Sequence, residues 1–401
     1  LKQKVAIVGG GPSALMLAAT LDFSQFEVGI YEQNKTLGRK FLVAGDGGFN
    51  LTHGSDLELM KQQYHPNGFL DKTLETFSNQ DLRTWLHSLG IETFVGSSKR
   101  VYPIKGIKPI QVLNTILQKL EQKKVKINTQ MQWTGWTENN DLLFNETEVI
   151  KADLIVFALG GASWSVTGSK GTWLPYFNEK GIATVPFQAS NCAFKVAWQS
   201  AFIDKYNGFP LKNISLTLGN HSVKGELVVT NFGLEGNAIY ALSREIQNEL
   251  KANSSSTVFL DLKPMFELEQ MIEKLKQVKS KNTSDALKIG LNFSPMQIQL
   301  IKQSISKEDY VEIDKLAERI KRLPLKILAS APIDEAISTI GGIAIEEIDE
   351  SFQLKIMPNH YMIGEMLDWD APTGGYLLQA CMSMGVTLGK RLNEEFNFIK
   401  F

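Results

Sequence analysis

Residues 4–32, KVAIVGGGPSALMLAATLDFSQFEVGIYE, decide the fold. An unbroken apolar run, Val5-Ala6-Ile7-Val8, leads into Gly9, Gly10 and Gly11, then into an apolar stretch to Leu21 and a second run ending at Tyr31 and Glu32. This order predicts strand, tight turn, helix and parallel strand, because two parallel strands need a crossover and a helix commonly supplies it. The spacing Gly9-x-Gly11-x-x-Ala14 has a mechanical meaning. Gly9 permits the turn, Gly11 lets backbone approach a pyrophosphate, and Ala14 is small enough for close helix to strand packing. The helix start then offers N–H groups and the positive end of its dipole to phosphates. Glu32, at the end of the second strand, is suited to accept hydrogen bonds from ribose hydroxyls. Together these features predict dinucleotide binding.

The rest of the chain is that of an ordinary globular protein. With 401 residues, 43% hydrophobic and 21% charged, it is neither disordered nor collagenous, and its length predicts two or three structural units. Lys and Arg number 42 against 43 Asp and Glu, so no global field attracts nucleic acid or anionic lipid. Only Cys192 and Cys381 occur, without a CxxC or a Cys/His cluster. That pattern predicts a reducing compartment, buried thiols and no metal site. Glycines and Pro12 interrupt the apolar run at 5–21, and no other stretch reaches membrane-spanning length, so a cytoplasmic protein is expected.

Periodicity predicts helices over 73–89 and 110–121, a small hairpin over 133–150 and a strand over 153–158 that ends in Leu159-Gly160-Gly161. After Pro186 the chain becomes strand-like to about 262, then helical and lysine-rich over 266–322, with helices at 267–278, 295–305 and 310–320 and a polar linker at 280–284. Glycine-rich, apolar character returns from about 333. The expected organisation is an α/β nucleotide-binding domain in two segments, 1–188 and 333–401. It is interrupted by an insertion at 189–332, with a β-rich part over 189–263 and a mainly helical part over 264–332.

The segment after the second strand narrows the choice of ligand. Gly38-Arg39-Lys40 and then Ala44-Gly45-Asp46-Gly47-Gly48-Phe49-Asn50-Leu51-Thr52 place glycines beside Arg39, Lys40, Asn50 and Thr52. Such a segment suits an extended ligand whose pyrophosphate and ribityl chain touch backbone, which favours FAD; a surface loop is the alternative. Near the other end, Gly364-Glu365-Met366-Leu367-Asp368 precedes Ala371-Pro372-Thr373-Gly374-Gly375-Tyr376 and a helix beginning near Leu377. A helix start at the pyrimidine side of a flavin would stabilise negative charge on the reduced ring. Asp368 fits either the ribityl hydroxyls or a turn.

On these residues, with ETFVGSSKRVYP at 92–103 and ALGGASW at 158–164, the chain resembles the bacterial aminoacetone-oxidase-like FAD-binding flavoproteins, a family of NAD(P)/FAD-dependent oxidoreductases. The resemblance runs through nearly the whole chain. Asp46 departs from it, since related sequences often carry Lys or Asn there. It implies a glutathione-reductase-like FAD-binding Rossmann domain interrupted by an insertion with a β-barrel-like and a small helical part. It also implies noncovalent FAD contacts from Gly9, Gly11, Pro12, Ser13, Ala14, Glu32, Gln33, Arg39, Lys40, Gly47, Gly48, Asn50, Leu51, Gly160, Gly161, Asp368, Gly374, Gly375 and Tyr376. Some relatives look like amine oxidases and others like reductases of bile-acid or steroid ketones, so the resemblance implies no agreed substrate.

The expected function is hydride transfer at flavin N5 to or from a small organic molecule held between the FAD domain and the insertion. No second strand-glycine-helix fingerprint and no redox CxxC occur, so NADH or NADPH would act as a transient donor. No catalytic base is assigned. His53 lies beside a cofactor segment, Tyr376 follows Gly375, and Arg100 and Tyr102 are candidates for the substrate side; Trp164 and Trp173 fit packing better. One alternative is RNA modification, motivated by Lys274, Lys276, Lys279, Lys281, Lys315, Arg319, Lys321 and Arg322, although interleaved acids fit a solvated face. The other is a non-catalytic flavin redox sensor.

Overall fold

The computed structural model describes residues 2–43 and 49–398. It divides into two compact units, Leu1–Gln188 with Ser338–Phe401, and Ala189–Ile337.

The first unit is built on a five-stranded parallel sheet. Its strands are β1 (Gln3–Val8), β2 (Phe26–Glu32), β3 (Lys126–Thr129), β4 (Leu154–Phe157) and β5 (His360–Met362), in the order β5-β4-β1-β2-β3. A parallel sheet is covered on both faces, which is why β1 and β4 read as apolar runs rather than alternating ones. Val5 to Val8 and Leu154 to Phe157 are all buried. Helix α1 (Pro12–Thr20) is the β1 to β2 crossover, α2 (Pro109–Gln122) precedes β3, and α3 (Tyr376–Phe398) closes the described chain. Glycine inside a helix costs about 1 kcal/mol relative to alanine, yet α3 carries Gly385 and Gly389. Both permit contact with α1: a Cβ on Gly385 would overlap the Ser13 carbonyl oxygen, and one on Gly389 would lie 2.8 Å from Thr20.

The second unit holds a closed six-stranded antiparallel barrel formed by Phe194–Val196, Phe209–Leu218, His221–Val229, Gly233–Glu235, Ser256–Asp261 and Leu323–Ser330. The expected split at 263 needs correction. The last barrel strand follows the helical part and pairs with both Ser256–Asp261 and Phe194–Val196. Its signature is period-two burial of Leu323, Leu325 and Ile327, and its pairing leaves no open edge there. Helices Ser200–Tyr206 and Ser243–Asn253 also lie within the stretch read as strands.

Several expected elements are divided differently. The 73–89 stretch is two helices, Asp71–Thr76 and Asn79–Ser88, because the Ser78 side chain accepts from the Asp81 amide and starts the second. The 310–320 stretch likewise divides into Lys307–Val311 and Ile313–Lys321. In the stretch read as a linker, Asn282 caps helix Thr283–Leu291. The 133–150 region is a three-stranded meander, not a hairpin. Cys192 and Cys381 are buried and form no disulfide, and Trp173 packs edge-on against Phe177 and Phe187. No helix among the described residues is long and apolar enough to cross a membrane.

Candidate functional site

The turn after β1 has only one solution for its first residue. Gly9 adopts φ +105°, and a Cβ there would overlap the carbonyl oxygen of Ala158 at the end of β4. Its amide donates to the Tyr31 carbonyl at 2.8 Å, which ties the turn to β2. Gly11 is different: a Cβ on it would meet nothing within 4 Å. It stands at the start of α1, where no side chain caps the helix, so first-turn amides remain available to an anion. The turn borders a cavity of about 430 Å³ lined by Gly9, Gly10, Gly11, Pro12, Ser13 and residues of six other stretches of the chain.

At the end of β2 the buried Glu32 carboxylate accepts from the Gly10 amide (2.9 Å), the Asn34 amide (2.9 Å) and the Asn34 side chain (2.7 Å). Each carboxylate oxygen has two lone-pair sites, so acceptor capacity remains. Arg39 donates to Asn34 Oδ1 at 2.7 Å and to the Val166 carbonyl at 2.8 Å, and Gln33 donates to the Gly168 carbonyl. These bonds fasten the 164–168 segment to the end of β2.

A polar network lies on the same cavity. Lys40 Nζ donates to Ser163 Oγ at 2.7 Å and pairs with Glu365 Oε2 at 3.0 Å. Glu365 Oε1 in turn accepts from the Thr339 amide at 3.2 Å, and Thr339 Oγ1 accepts from the Ala162 amide at 3.2 Å. An ammonium has three donors, and partners among the described residues use two of them. The third is available to an acceptor in the cavity. Gly161 is small for this network, since a Cβ there would overlap Thr339 Oγ1. Cys381 borders the same cavity, and burial pushes its thiol up to about 12, so it stays protonated.

A second cluster forms where α3 begins. Gly375, at φ +99°, has the Thr52 backbone 2.5–2.7 Å from where its Cβ would be, so only glycine fits. This contact brings Tyr376 onto the strand Thr52–His53. The rings of His53 and Tyr376 stack with centroids 4.7 Å apart and planes at 23°. Ser55 Oγ is 2.8 Å from His53 Nδ1 and also hydrogen-bonds the Tyr376 side chain. Burial raises the Tyr376 phenol above its usual value, with Ser55 and the positive charge of Arg100 opposing. Burial lowers His53, a hydrogen bond to the Ser98 backbone opposes this, and the charges of Arg100 and Lys99 add to the lowering. At neutral pH the site therefore presents a protonated phenol beside a neutral imidazole.

Of the residues singled out in the sequence, Gly9, Gly11, Pro12, Ser13, Glu32, Gln33, Arg39, Lys40 and Gly160 line the cavity. Ala14 is buried behind it, as its packing role requires, and Leu51 is buried too. Gly374, Gly375 and Tyr376 belong to the second cluster, joined there by His53 and Arg100. Asp368 accepts from the Gly341 amide at 3.0 Å, a turn-fixing role. Gly47 and Gly48 lie outside the described residues. Glu365 was missed, although it stands in the GEMLD segment, because nothing local distinguishes it from Asp368. Met131, Trp133 and Tyr176, which also border the cavity, are distant in sequence and carry no local motif.

The chain matches the HI0933-like protein Rossmann domain over residues 3–391. It is similar to the 3-dehydro-bile acid delta(4,6)-reductase of Clostridium scindens, 23% identical over 98% of this chain and 99% of the relative. It is also similar to the ribosomal RNA dihydrouridine synthase of Haemophilus influenzae, 24% identical over 93% and 94%. Among solved structures, the open conformation of a flavocytochrome c3 fumarate reductase shares the fold at TM-score 0.52 and 12% identity, covering 98% of this chain and 78% of that one. The 3-ketosteroid delta1-dehydrogenase of Sterolibacterium denitrificans does so at TM-score 0.51 and 12% identity, covering 98% and 100%. The chain belongs to the HI0933-like protein Rossmann-domain family, a family of FAD-binding oxidoreductases.

Proposed function

We propose that this protein is an FAD-dependent reductase of a carbon–carbon double bond conjugated to a carbonyl in a small molecule, with NADH or NADPH as its transient electron donor. The observation that carries the reading is the second cluster: a protonated phenol, Tyr376, and the cationic Arg100 meet next to Gly374 and Gly375, where α3 begins. One relative fits it by name, the 3-dehydro-bile acid delta(4,6)-reductase; the other, the ribosomal RNA dihydrouridine synthase, is named for an RNA substrate.

The residues fit the cofactor. Gly9 closes the turn, and the open space at Gly11 together with the uncapped start of α1 would receive the pyrophosphate. Glu32 would accept from ribose hydroxyls, Lys40 would donate its remaining hydrogen bond to an anionic oxygen, and Gly160 and Gly161 would let backbone approach. FAD, when bound, supplies hydride exchange at N5. The chain's own part is to position the alkene, receive negative charge on the carbonyl oxygen at Arg100, and deliver a proton from Tyr376 to the carbon next to the carbonyl.

RNA modification is not favoured by the helical part. Lys276 pairs with Asp314 at 2.7 Å, Lys315 with Glu312 at 2.7 Å, Arg319 with Asp309 at 2.9 Å and Lys321 with Asp261 at 2.6 Å. Lys274 and Arg322 lie over the rings of Phe266 and Phe259. Six of the eight cations are so engaged, and the remaining two, the exposed Lys279 and Lys281, are too few for a phosphate-binding stripe.

The test is anaerobic. Flavin reduced by NADPH or NADH should be reoxidised by cyclohex-2-enone, and Tyr376→Phe should slow that step about 100-fold while leaving reduction by the nicotinamide unchanged. Equal reoxidation rates in both proteins would remove Tyr376 as the donor, and failure of every conjugated ketone to reoxidise the wild type would remove the reductase reading.

A further inference from the structure

Ser55 stands between the two ring side chains of the second cluster. Its hydroxyl oxygen is 2.8 Å from His53 Nδ1 and also hydrogen-bonds the phenol of Tyr376. A serine kept for a turn commonly bonds nearby backbone. Among the described residues both partners of this hydroxyl are side chains. The chain that carries it is fixed in place. The buried Asn79 side chain donates to the carbonyls of His53 at 2.6 Å and Ser55 at 2.9 Å, and the Gly54 amide donates to the Lys99 carbonyl at 2.6 Å. The buried Tyr64 phenol donates to the Tyr376 carbonyl at 2.9 Å. Phenol, hydroxyl and imidazole are thus held in one row.

The row runs from an enclosed group toward solvent: Tyr376 is 8% exposed, whereas Ser55 and His53 are each partly exposed. Facing the imidazole are Ser55, the Tyr376 ring from α3, Arg100 on the paired strand, and Lys99 and Ser98 in the turn before it. None of these is a carboxylate that would draw a proton onto the ring. A neutral imidazole has one donor nitrogen and one acceptor. The bond to the Ser98 backbone favours the charged ring, so the ring donates in it. That assigns Nδ1 as the acceptor of the Ser55 O–H, and leaves the Ser55 oxygen to accept from the Tyr376 phenol.

We propose that Ser55 is the proton inlet of the site: its hydroxyl, held in line by His53, returns from solvent the proton that Tyr376 gives up in each turnover. The inference rests on the reductase reading and adds to it the route by which the proton is replaced. Once Tyr376 has protonated the carbon, its phenolate is a better acceptor than a neutral imidazole, because hydrogen bonds to ionised groups are roughly twice as strong. The Ser55 O–H turns from His53 Nδ1 to the phenolate oxygen and gives it the proton, while a water molecule gives one to Ser55 Oγ. One O–H bond forms at Tyr376, one is broken and remade at Ser55, and hydroxide is left in solvent. No electrons are exchanged along the row. With the phenol restored, the hydroxyl returns to Nδ1. Ser55 and His53 act through Tyr376 and are positioning residues.

The test uses holoenzyme turning over NADPH and cyclohex-2-enone. Ser55→Ala should lower kcat at least about tenfold and keep KM for the enone within about twofold. Its solvent deuterium isotope effect on kcat should rise, because proton return becomes the slow step. Ser55→Thr keeps the hydroxyl and should recover most of the rate. His53→Phe keeps a ring to stack on Tyr376 but removes the acceptor, and should lower kcat in the same direction. A readout without turnover is the nitrogen resonance of His53 in oxidised holoenzyme carrying isotope-labelled histidine: Nδ1 should shift in Ser55→Ala and hold its position in Ser55→Thr. Equal kcat in wild type, Ser55→Ala and His53→Phe would overturn the inlet and leave the reductase reading standing. Ser55→Thr as slow as Ser55→Ala, with Nδ1 unmoved in both, would do the same. A wild type that reduces no conjugated ketone overturns both.

Discussion

At the residue scale, two glycines two positions apart carry different loads, and the difference can be measured. Gly9 needs a positive φ and the absence of a Cβ, so Gly9→Ala should lower stability by about 1–3 kcal/mol and abolish flavin retention. Gly11 has φ −81° and open space, so Gly11→Ala should leave the melting temperature of flavin-free protein near that of the wild type and weaken only FAD binding. A Gly11→Ala protein that binds FAD as tightly as wild type would contradict the pyrophosphate assignment. The Lys40–Glu365 pair makes a further test, since Glu365 is only 7% exposed at its side chain and Lys40 28%. Lys40→Met strands a buried carboxylate and should destabilise by about 3 kcal/mol, much of which the double variant Lys40→Met/Glu365→Gln should restore. Thermal or urea unfolding of the single and double variants checks both figures. Gly9, Gly11 and Lys40 were legible because each sits in a contiguous motif. Glu365 was not, because its partners Lys40 and Thr339 reach it only through the fold.

At the element scale, legibility followed locality. The strand-turn-helix-strand unit was plain in 4–32 because its pattern is continuous and both strands are buried. The division of 71–88 into two helices was hidden because Leu74, Phe77, Leu82 and Leu86 keep an apolar spacing across the break, whereas Ser78 and Asp81 decide it through one capping box. Ser78→Ala should therefore cost about 1 kcal/mol, measured by denaturant unfolding, with little effect on flavin binding. The barrel was readable as β-rich sequence, but its closing strand Leu323–Ser330 stands beyond a helical segment, and closure is a non-local pairing. The second cluster shows the same limit. His53, Arg100 and Tyr376 were each visible as candidates, and it is the register of a short strand and the absence of a side chain at Gly375 that bring them together.

At the scale of the whole molecule, 42 basic and 43 acidic residues nearly balance, so acid sensitivity should come from particular groups rather than from net charge. His53 and His360 both have lowered values. Burial is the main cause at each, with Arg100 and Lys99 adding to it at the first and Lys180 at the second, while bonds to the Ser98 backbone and the Pro358 carbonyl oppose. A histidine lowered in the folded state binds its proton more readily when unfolded, so the associated stability is present above the ordinary value near 6.5 and is lost as pH falls below it. The melting temperature should fall between pH 7.5 and 5.5, and His360→Gln should flatten that fall; an equally steep profile in the variant would remove His360 as a contributor. Every functional assignment made for this chain depends on the flavin. The most direct measurement is the absorbance spectrum of freshly purified protein, before and after denaturation and filtration, then under anaerobic NADPH or NADH with cyclohex-2-enone added last. The expected result is about one released FAD per chain, bleaching by the nicotinamide and recovery of colour on adding the enone. Protein that carries no flavin and binds none when FAD is supplied would contradict it.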